Sequence, residues 1–202
     1  MYKLFIKKGS CSMAIHALLN FLEQKVELQD KTKTDDYKSI NPTGAAPFLV
    51  DETVRLREGA AMALYLMEKH KSPMLPQDLV RRASANQWMM FANATLHPAY
   101  SRLFFINGQV KDENLKKELL SAAAENVNNH WKIADSHLAN NKYVLGEQLT
   151  MADIFMTVYA NWNHNFGGAI QLGPNVTRMV KDVASLPAFQ KTLAAEGIKY
   201  TV

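Results

Sequence analysis

The chain changes character at Ser72-Pro73-Met74-Leu75-Pro76. Before this point the hydrophobic spacing switches every few residues between the alternation of a strand and the roughly 3.6-residue repeat of a helix. Beyond it no convincing strand pattern occurs. The two prolines end the preceding helix and push the residue before each of them out of helical geometry. At 202 residues the chain can form one full domain or two small ones. The switch predicts the second arrangement: an α/β unit over residues 1–72, a linker at 73–78 and an all-helical unit over 79–202.

In the first unit, Tyr2 to Ile6 favours a strand and the polar break Lys7-Lys8-Gly9-Ser10 ends it. Ile15, Leu18, Leu19 and Leu22 recur at helical spacing, so a helix is predicted from Met13 to about Gln24. Val26 to Leu28 reads as a second strand, Asp30 to Asp36 as loop with a short helix near Tyr37. Phe48 to Val50 and Val54 to Arg57 read as a hairpin turning at Asp51-Glu52-Thr53. Glu58 opens a helix carrying Ala61, Met62, Leu64, Tyr65 and Met67. The order β-α-β then β-β-α implies a mixed sheet, one parallel pair and one antiparallel hairpin. In the second unit, Leu79 to Asn107 is a long helical pattern that Pro98 should kink or interrupt. Further helices are predicted over Asp112 to Asn140, from Met151, around Val176 to Ala184, and from Pro187.

Composition removes several function classes. Lys and Arg number 23 against 19 Asp and Glu, a net charge of +4 with no basic block, whereas a nucleic-acid groove needs a concentrated stripe. No run approaches the ~18 consecutive apolar residues of a membrane span. Met1 to Ile6 is broken by Lys7-Lys8 too early for a signal-peptide core, which makes the cytoplasm the expected compartment. Asn93-Ala94-Thr95 and Asn175-Val176-Thr177 match a glycosylation triplet, which without a secretory signal reads as chance. The single cysteine excludes an internal disulfide and a multi-thiolate zinc site.

Cys11 follows a strand and a Gly-Ser break and immediately precedes a helix. Unpaired amides and partial positive charge at a helix start stabilise a thiolate, and the Ser12 hydroxyl beside it can donate to a bound one. The plainer reading has Ser10 or Ser12 capping the helix and Cys11 as buried filler. Gly44-Ala45-Ala46-Pro47 joins a loop to a strand; a cis bond at Pro47 would turn backbone groups sideways to meet an extended peptide, although most such bonds are trans. Glu58-Gly59 starts a helix after a strand, suiting a ligand's carboxylate and ammonium, or merely offsetting the helix dipole. Thr150 with Asp153 is a capping box, a folding device. The histidines at 16, 70, 97, 130, 137 and 164 lack zinc-protease spacing, so no metal is implied; His97 stands out beside Pro98. Trp162, like Trp88, reads as core or cleft wall.

Taken together, Gly9-Ser10-Cys11-Ser12, the stretch Asn41 to Leu49, Arg57-Glu58-Gly59-Ala60-Ala61 and the Thr150–Asp153 box resemble the cytosolic glutathione S-transferases, most of all the bacterial beta class. The resemblance covers essentially the whole chain, and it implies a thioredoxin-like first unit, a helical second unit, a homodimer and a role in detoxification. It implies that Pro47 is cis and that Ala46 pairs through its backbone with the cysteinyl part of glutathione. Glu58 and Gly59 take its γ-glutamyl ammonium and carboxylate, Lys33 or else Lys31 its glycyl carboxylate, and Ser10 lies alongside. Cys11 contacts the glutathione sulfur with Ser12 as the neighbouring hydroxyl, while His97 and Trp162 line the electrophile side.

Some positions depart from the family pattern. Phe5 and Ile6 occupy the region where other classes carry an activating tyrosine, Lys8 replaces a proline, and Met90 stands where beta-class relatives commonly carry a glutathione-binding asparagine. No arginine of the zeta-class kind occurs in Met13 to His16. The leading reading is conjugation of the glutathione thiolate, as co-substrate, to small hydrophobic electrophiles, with Cys11, Ser12 and His97 as the catalytic set. Two rivals stand beside it. One is a glutathione-dependent thiol–disulfide reductase in which Cys11 forms the mixed disulfide; the other is a non-catalytic binder of glutathione or hydrophobic ligands.

Overall fold

A computed structural model describes residues 1–202. The first part runs β1 (Tyr2–Ile6), α1 (Ser12–Phe21), β2 (Val26–Asp30), a 3-10 turn (Lys31–Lys33), α2 (Tyr37–Ile40), β3 (Phe48–Asp51), β4 (Val54–Leu56) and α3 (Gly59–Lys69). The strands form one mixed sheet in the order β2-β1-β3-β4. β1 and β2 are parallel, in register from Tyr2 with Val26 to Ile6 with Asp30, because α1 carries the chain back across the sheet. β3 lies antiparallel to β1, with Leu4 opposite Leu49, and the tight turn after Asp51 returns β4 antiparallel to β3.

The rest is helical: α4 (Leu79–Met90), a π-helical segment (Phe91–Leu96), α5 (His97–Gln109), α6 (Glu113–Leu138), α7 (Met151–Ala160), a 3-10 segment (Asn161–Phe166), α8 (Pro174–Ser185) and α9 (Pro187–Glu196). No strand forms there; Tyr143 with Gly146 and Leu145 with Gln148 make only isolated bridges. The interruption expected at Pro98 takes a specific form. The helix widens over the six residues before α5, and the His97 amide donates to Ala92 O, five residues back. A proline ring in a regular helix collides with the carbonyl four residues earlier, here that of Ala94, and a widened turn relieves this.

α1 and α7 hold the molecule together. Both are apolar around nearly their whole circumference and buried along nearly their whole length, as a helix covered on every side must be. α7 starts where the capping box predicts: the Thr150 amide and hydroxyl both donate to Asp153 Oδ2, at 2.8 and 2.7 Å, and Val144 N donates to Oδ1. One continuous apolar core includes β1, α1 and α3 together with α4 to α9. Across it, Asn20 Nδ2 on α1 donates to Thr192 Oγ1 on α9 at 2.9 Å, and His16 Nδ1 lies 2.9 Å from Glu196 Oε1. The far end of the chain is thereby bolted to the helix that follows the first strand.

Candidate active site

A cleft runs between the sheet-bearing part and the helices, and three loops of the first part converge on it. The loop before β3 is braced from behind. Tyr37 Oη and Asn41 Nδ2 both donate to Ala45 O, at 2.7 and 2.9 Å, and Lys31 Nζ donates to Gly44 O at 2.6 Å. Gly44 adopts φ of +64°, a conformation that favours glycine, and the Ala46–Pro47 bond is cis. Between β1 and α1, Gly9 turns with φ of +71° and presents Cys11 as the first residue of the α1 turn. Cys11 Sγ donates to Ala46 O at 3.4 Å, so the thiol and the proline loop touch. Before α3, Glu58 sits at φ of +68°, strain of about 1–3 kcal/mol in a non-glycine residue, and places its side chain beside the exposed start of the helix.

Opposite them stands one face of the α4–π–α5 rod: Met90, then the adjacent pair Asn93 and Ala94, then His97, Ser101 and Phe104, each turn three or four residues from the last. Two adjoining cavities result. The first, about 530 Å³, is lined by Cys11, Ala46, Pro47, Glu58, Gly59, Asn93, His97 and Phe155 among others. The second, about 550 Å³, is lined by Lys7, Lys8, Gly9, Ser10, Ser101, Phe104, Trp162, His164 and Ile198 among others. Cys11 and His97 belong to both.

His97, which borders both, belongs to an aromatic cluster. His97 stacks on Tyr159 with centroids 5.2 Å apart and leans on Trp162 at 5.5 Å, and Phe104 meets Trp162 edge-on at 5.7 Å. Trp162 is held by its Nε1, which donates to Gly9 O at 2.8 Å, and Gly9 N donates to Glu196 Oε2 at 3.1 Å. The loop carrying Cys11 is thus gripped from both sides by the helical part.

Electrostatics correct one expectation. Burial pushes the Cys11 thiol up to about 11, outweighing the nearby hydrogen-bond donors, so the resting group is an S–H donor rather than a thiolate. Burial also holds His97 below the ordinary imidazole value, with Glu58 pulling the other way, which keeps its ring neutral.

Of the residues singled out in the sequence, Cys11, Ala46, Pro47, Glu58, Gly59 and His97 share the first cavity, while Ser10 and Trp162 line the second with Cys11 and His97. Ser12 does not face either. It is fully buried, donates to Lys7 O at 3.1 Å and accepts from Lys7 N at 3.2 Å, closing the loop from beneath. Lys33 is exposed and lines neither cavity, and Lys31 uses its ammonium on Gly44. Asn93, Phe155, Thr43 and Arg57 also line the first cavity; Thr43 and Arg57 lie in stretches the sequence marks without giving them a role, and Asn93 and Phe155 are given none. Asn93 had a signal: it lies four residues before His97, on the same helical face. Tyr159 Oη donates to Asn93 Oδ1 at 3.4 Å and fixes it there. No three His, Cys, Asp or Glu side chains are grouped to hold a metal ion, and no helix is long and apolar enough to cross a membrane.

Residues 67–187 match the family model "Glutathione S-transferase, C-terminal domain". Over nearly its full length the chain is similar to glutathione S-transferase GST-4.5 of Xanthomonas campestris pv. campestris, 30% identical over 97% of this chain and 99% of that one. Among solved structures it is similar to the glutathione S-transferase of Xylella fastidiosa, with a TM-score of 0.89, 27% identity, and coverage of 98% of this chain and 100% of that one. A sphingomonad glutathione S-transferase complexed with glutathione gives 0.85, 29% identity and coverage of 98% and 100%.

Proposed function

The chain belongs to the glutathione S-transferase family, and from that premise we propose that this transferase joins the glutathione thiolate to small hydrophobic electrophiles across the two cavities. The observation that carries this reading is the convergence of Cys11, Ala46-Pro47 and Glu58-Gly59 on one cavity that opens, past Cys11 and His97, into a second with an aromatic wall.

Glutathione lies extended in the first cavity. Its cysteinyl backbone pairs with Ala46, its γ-glutamyl ammonium meets Glu58, and its γ-glutamyl carboxylate meets the start of α3 at Gly59, where backbone amides are unpaired. Its sulfur then sits by Cys11. A neutral Cys11 thiol turns its proton from Ala46 O toward that sulfur and stabilises the glutathione thiolate as a hydrogen-bond donor, which a second thiolate could not do. The positive end of α1 acts in the same direction. The glutathione thiol releases its proton to solvent. The thiolate forms a C–S bond with the electrophile, and the leaving group departs with the electron pair of the bond that breaks. His97, stacked on Tyr159 at the junction of the two cavities, orients the electrophile.

The same reading takes residues 1–72 and 79–202 as the two domains, the homodimer as the working form, the cytoplasm as its place and detoxification as its role. The rival reductase reading needs Cys11 as attacking thiolate, and burial of Cys11 weighs against it. Calorimetry with glutathione, followed by turnover of glutathione with aryl halides, tests the proposal. Binding at micromolar to millimolar levels with conjugate formation that partly survives Cys11→Ala is expected. Absence of glutathione binding, or complete loss of turnover in Cys11→Ala together with disulfide reduction by the unaltered protein, would overturn it.

A further inference from the structure

The two cavities differ in charge. The first holds both signs, with Arg57 and Glu58 on its lining. The second is lined by Lys7, Lys8 and His164 and by no Asp or Glu. Lys7 and Lys8 are exposed, and neither lies within ion-pairing distance of any carboxylate. Asp30 is within electrostatic reach of Lys8, but its carboxylate is taken by the amide and hydroxyl of Thr32, at 2.9 and 2.7 Å. Glu196, beneath Gly9, is buried and engaged by His16 and the Gly9 amide.

Beside these cations lies a rigid apolar surface. Trp162 is almost wholly buried and locked by its bond to Gly9 O, and Phe104 stands edge-on to it with part of its ring open to solvent. A flat ring is the shape that such a pair accepts. A wholly apolar ligand would cover lysine ammoniums without satisfying them, which is unfavourable. A ring bearing an anion at its outer edge satisfies both demands, with its inner edge at Cys11 and His97, where the glutathione sulfur arrives.

We propose that the second cavity selects flat electrophiles that carry a carboxylate, held by Lys7 and Lys8 while the ring packs on Trp162 and Phe104. This rests on the conjugation reading above and names the substrate class of that site. In an aryl chloride of this class, the glutathione thiolate attacks the chlorine-bearing carbon, the C–S bond forms, and chloride leaves with the C–Cl electron pair. The carboxylate is unchanged.

A matched pair of electrophiles isolates the effect: 4-chloro-3-nitrobenzoate and 4-chloro-3-nitrobenzamide share ring, nitro group and leaving group and differ in charge. For each, kcat/KM is divided by the rate constant with free glutathione, and the affinity of the finished glutathione conjugate is measured by calorimetry. Each exposed lysine–carboxylate pair is worth a few-fold, so the acid should be preferred by about tenfold in both measurements. The preference should fall to about threefold or less in Lys7→Gln/Lys8→Gln and shrink as salt is raised. Circular dichroism of the double variant, with each single variant alongside, reports folding. Equal treatment of the pair by the unaltered protein, or an unchanged preference in a folded double variant, overturns the proposal. If neither compound is turned over but the acid conjugate binds more tightly in a lysine-dependent way, conjugation falls and anion selection stands. If both are turned over equally, conjugation stands and selection falls.

Discussion

Glu196, the last residue of α9, is almost wholly buried, and both its carboxylate oxygens are used: Oε1 faces His16 Nδ1 at 2.9 Å and Oε2 accepts from Gly9 N at 3.1 Å. Glu196→Ala leaves a half-buried amide and a buried imidazole nitrogen without a partner, each costing about 1–3 kcal/mol, and removes one side of a buried pair, a change worth about 3–5 kcal/mol in all. For a chain of this length that lowers Tm by roughly 6–20 °C. Glu196→Gln should differ sharply. Its amide oxygen can accept from Gly9 N while its NH2 donates to His16 Nδ1, provided the imidazole carries its proton on Nε2. The cost is then about 1 kcal/mol or less. Urea and thermal unfolding of both variants measure this, and glutathione KM reports the site, because Gly9 also holds Trp162 and its turn sets Cys11. Both variants should raise KM in proportion to their instability. A Glu196→Ala protein within 1 kcal/mol of the parent would refute the argument that this carboxylate carries the contact between α9 and the first loop. Equal losses for Ala and Gln would instead show that the pair is ionic.

Cys11, at about 11 against an ordinary 9.0, should carry about 100-fold less thiolate near neutral pH than a free thiol and be alkylated by iodoacetamide correspondingly slowly; an alkylation midpoint below pH 8 would contradict this. Because the folded value is the higher one, its contribution to stability is full below about 9 and lost as pH rises toward about 11. At Gly59, an added Cβ would lie 3.3 Å from Phe155 Cε1 and Cζ and 3.4 Å from Asn93 Oδ1. Gly59→Ala should therefore cost about 1–3 kcal/mol through overpacking, offset by up to about 1 kcal/mol of helix propensity, with weakened glutathione binding. Phe155→Leu in the same chain should restore binding in part, and calorimetry reads both. Asp153→Ala leaves the amides of Val144 and Thr150 without their acceptor and should cost about 2–4 kcal/mol in urea unfolding, with Asp153→Asn recovering part of it.

The elements were legible because their signals are local. The β-favouring run Tyr2 to Ile6, the helical spacing from Ile15 to Leu22, the hairpin around Asp51 and the Thr150–Asp153 box each lie within a dozen residues, and each forms close to where its pattern places it. The site was legible only in part. Cys11, Ala46-Pro47 and Glu58-Gly59 stand at element junctions, which sequence marks well. Ser12 was misread because the direction of its hydroxyl depends on the left-handed turn at Gly9, and that turn is held by Glu196, 187 residues away. The Cys11 thiol was misread for a related reason: the helix start is visible in sequence, but the packing that dehydrates it is not. Pro98 announced a disturbance without its form, since kink, break and widened turn all satisfy a missing amide.

That widened turn makes one helix serve two chambers. Each residue advances a regular helix by roughly 100°, so a bulge holding one surplus residue swings everything beyond it by about that angle. Met90, Asn93 and Ala94 lie within the bulge or at its start and line the first cavity; Ser101 and Phe104 lie after it and line the second, with His97 at the pivot. Excising a single position between 91 and 96 would leave the length of the rod almost intact while steering Ser101 and Phe104 off their present bearing. On the proposed conjugation, reactivity at one end would then be uncoupled from selectivity at the other.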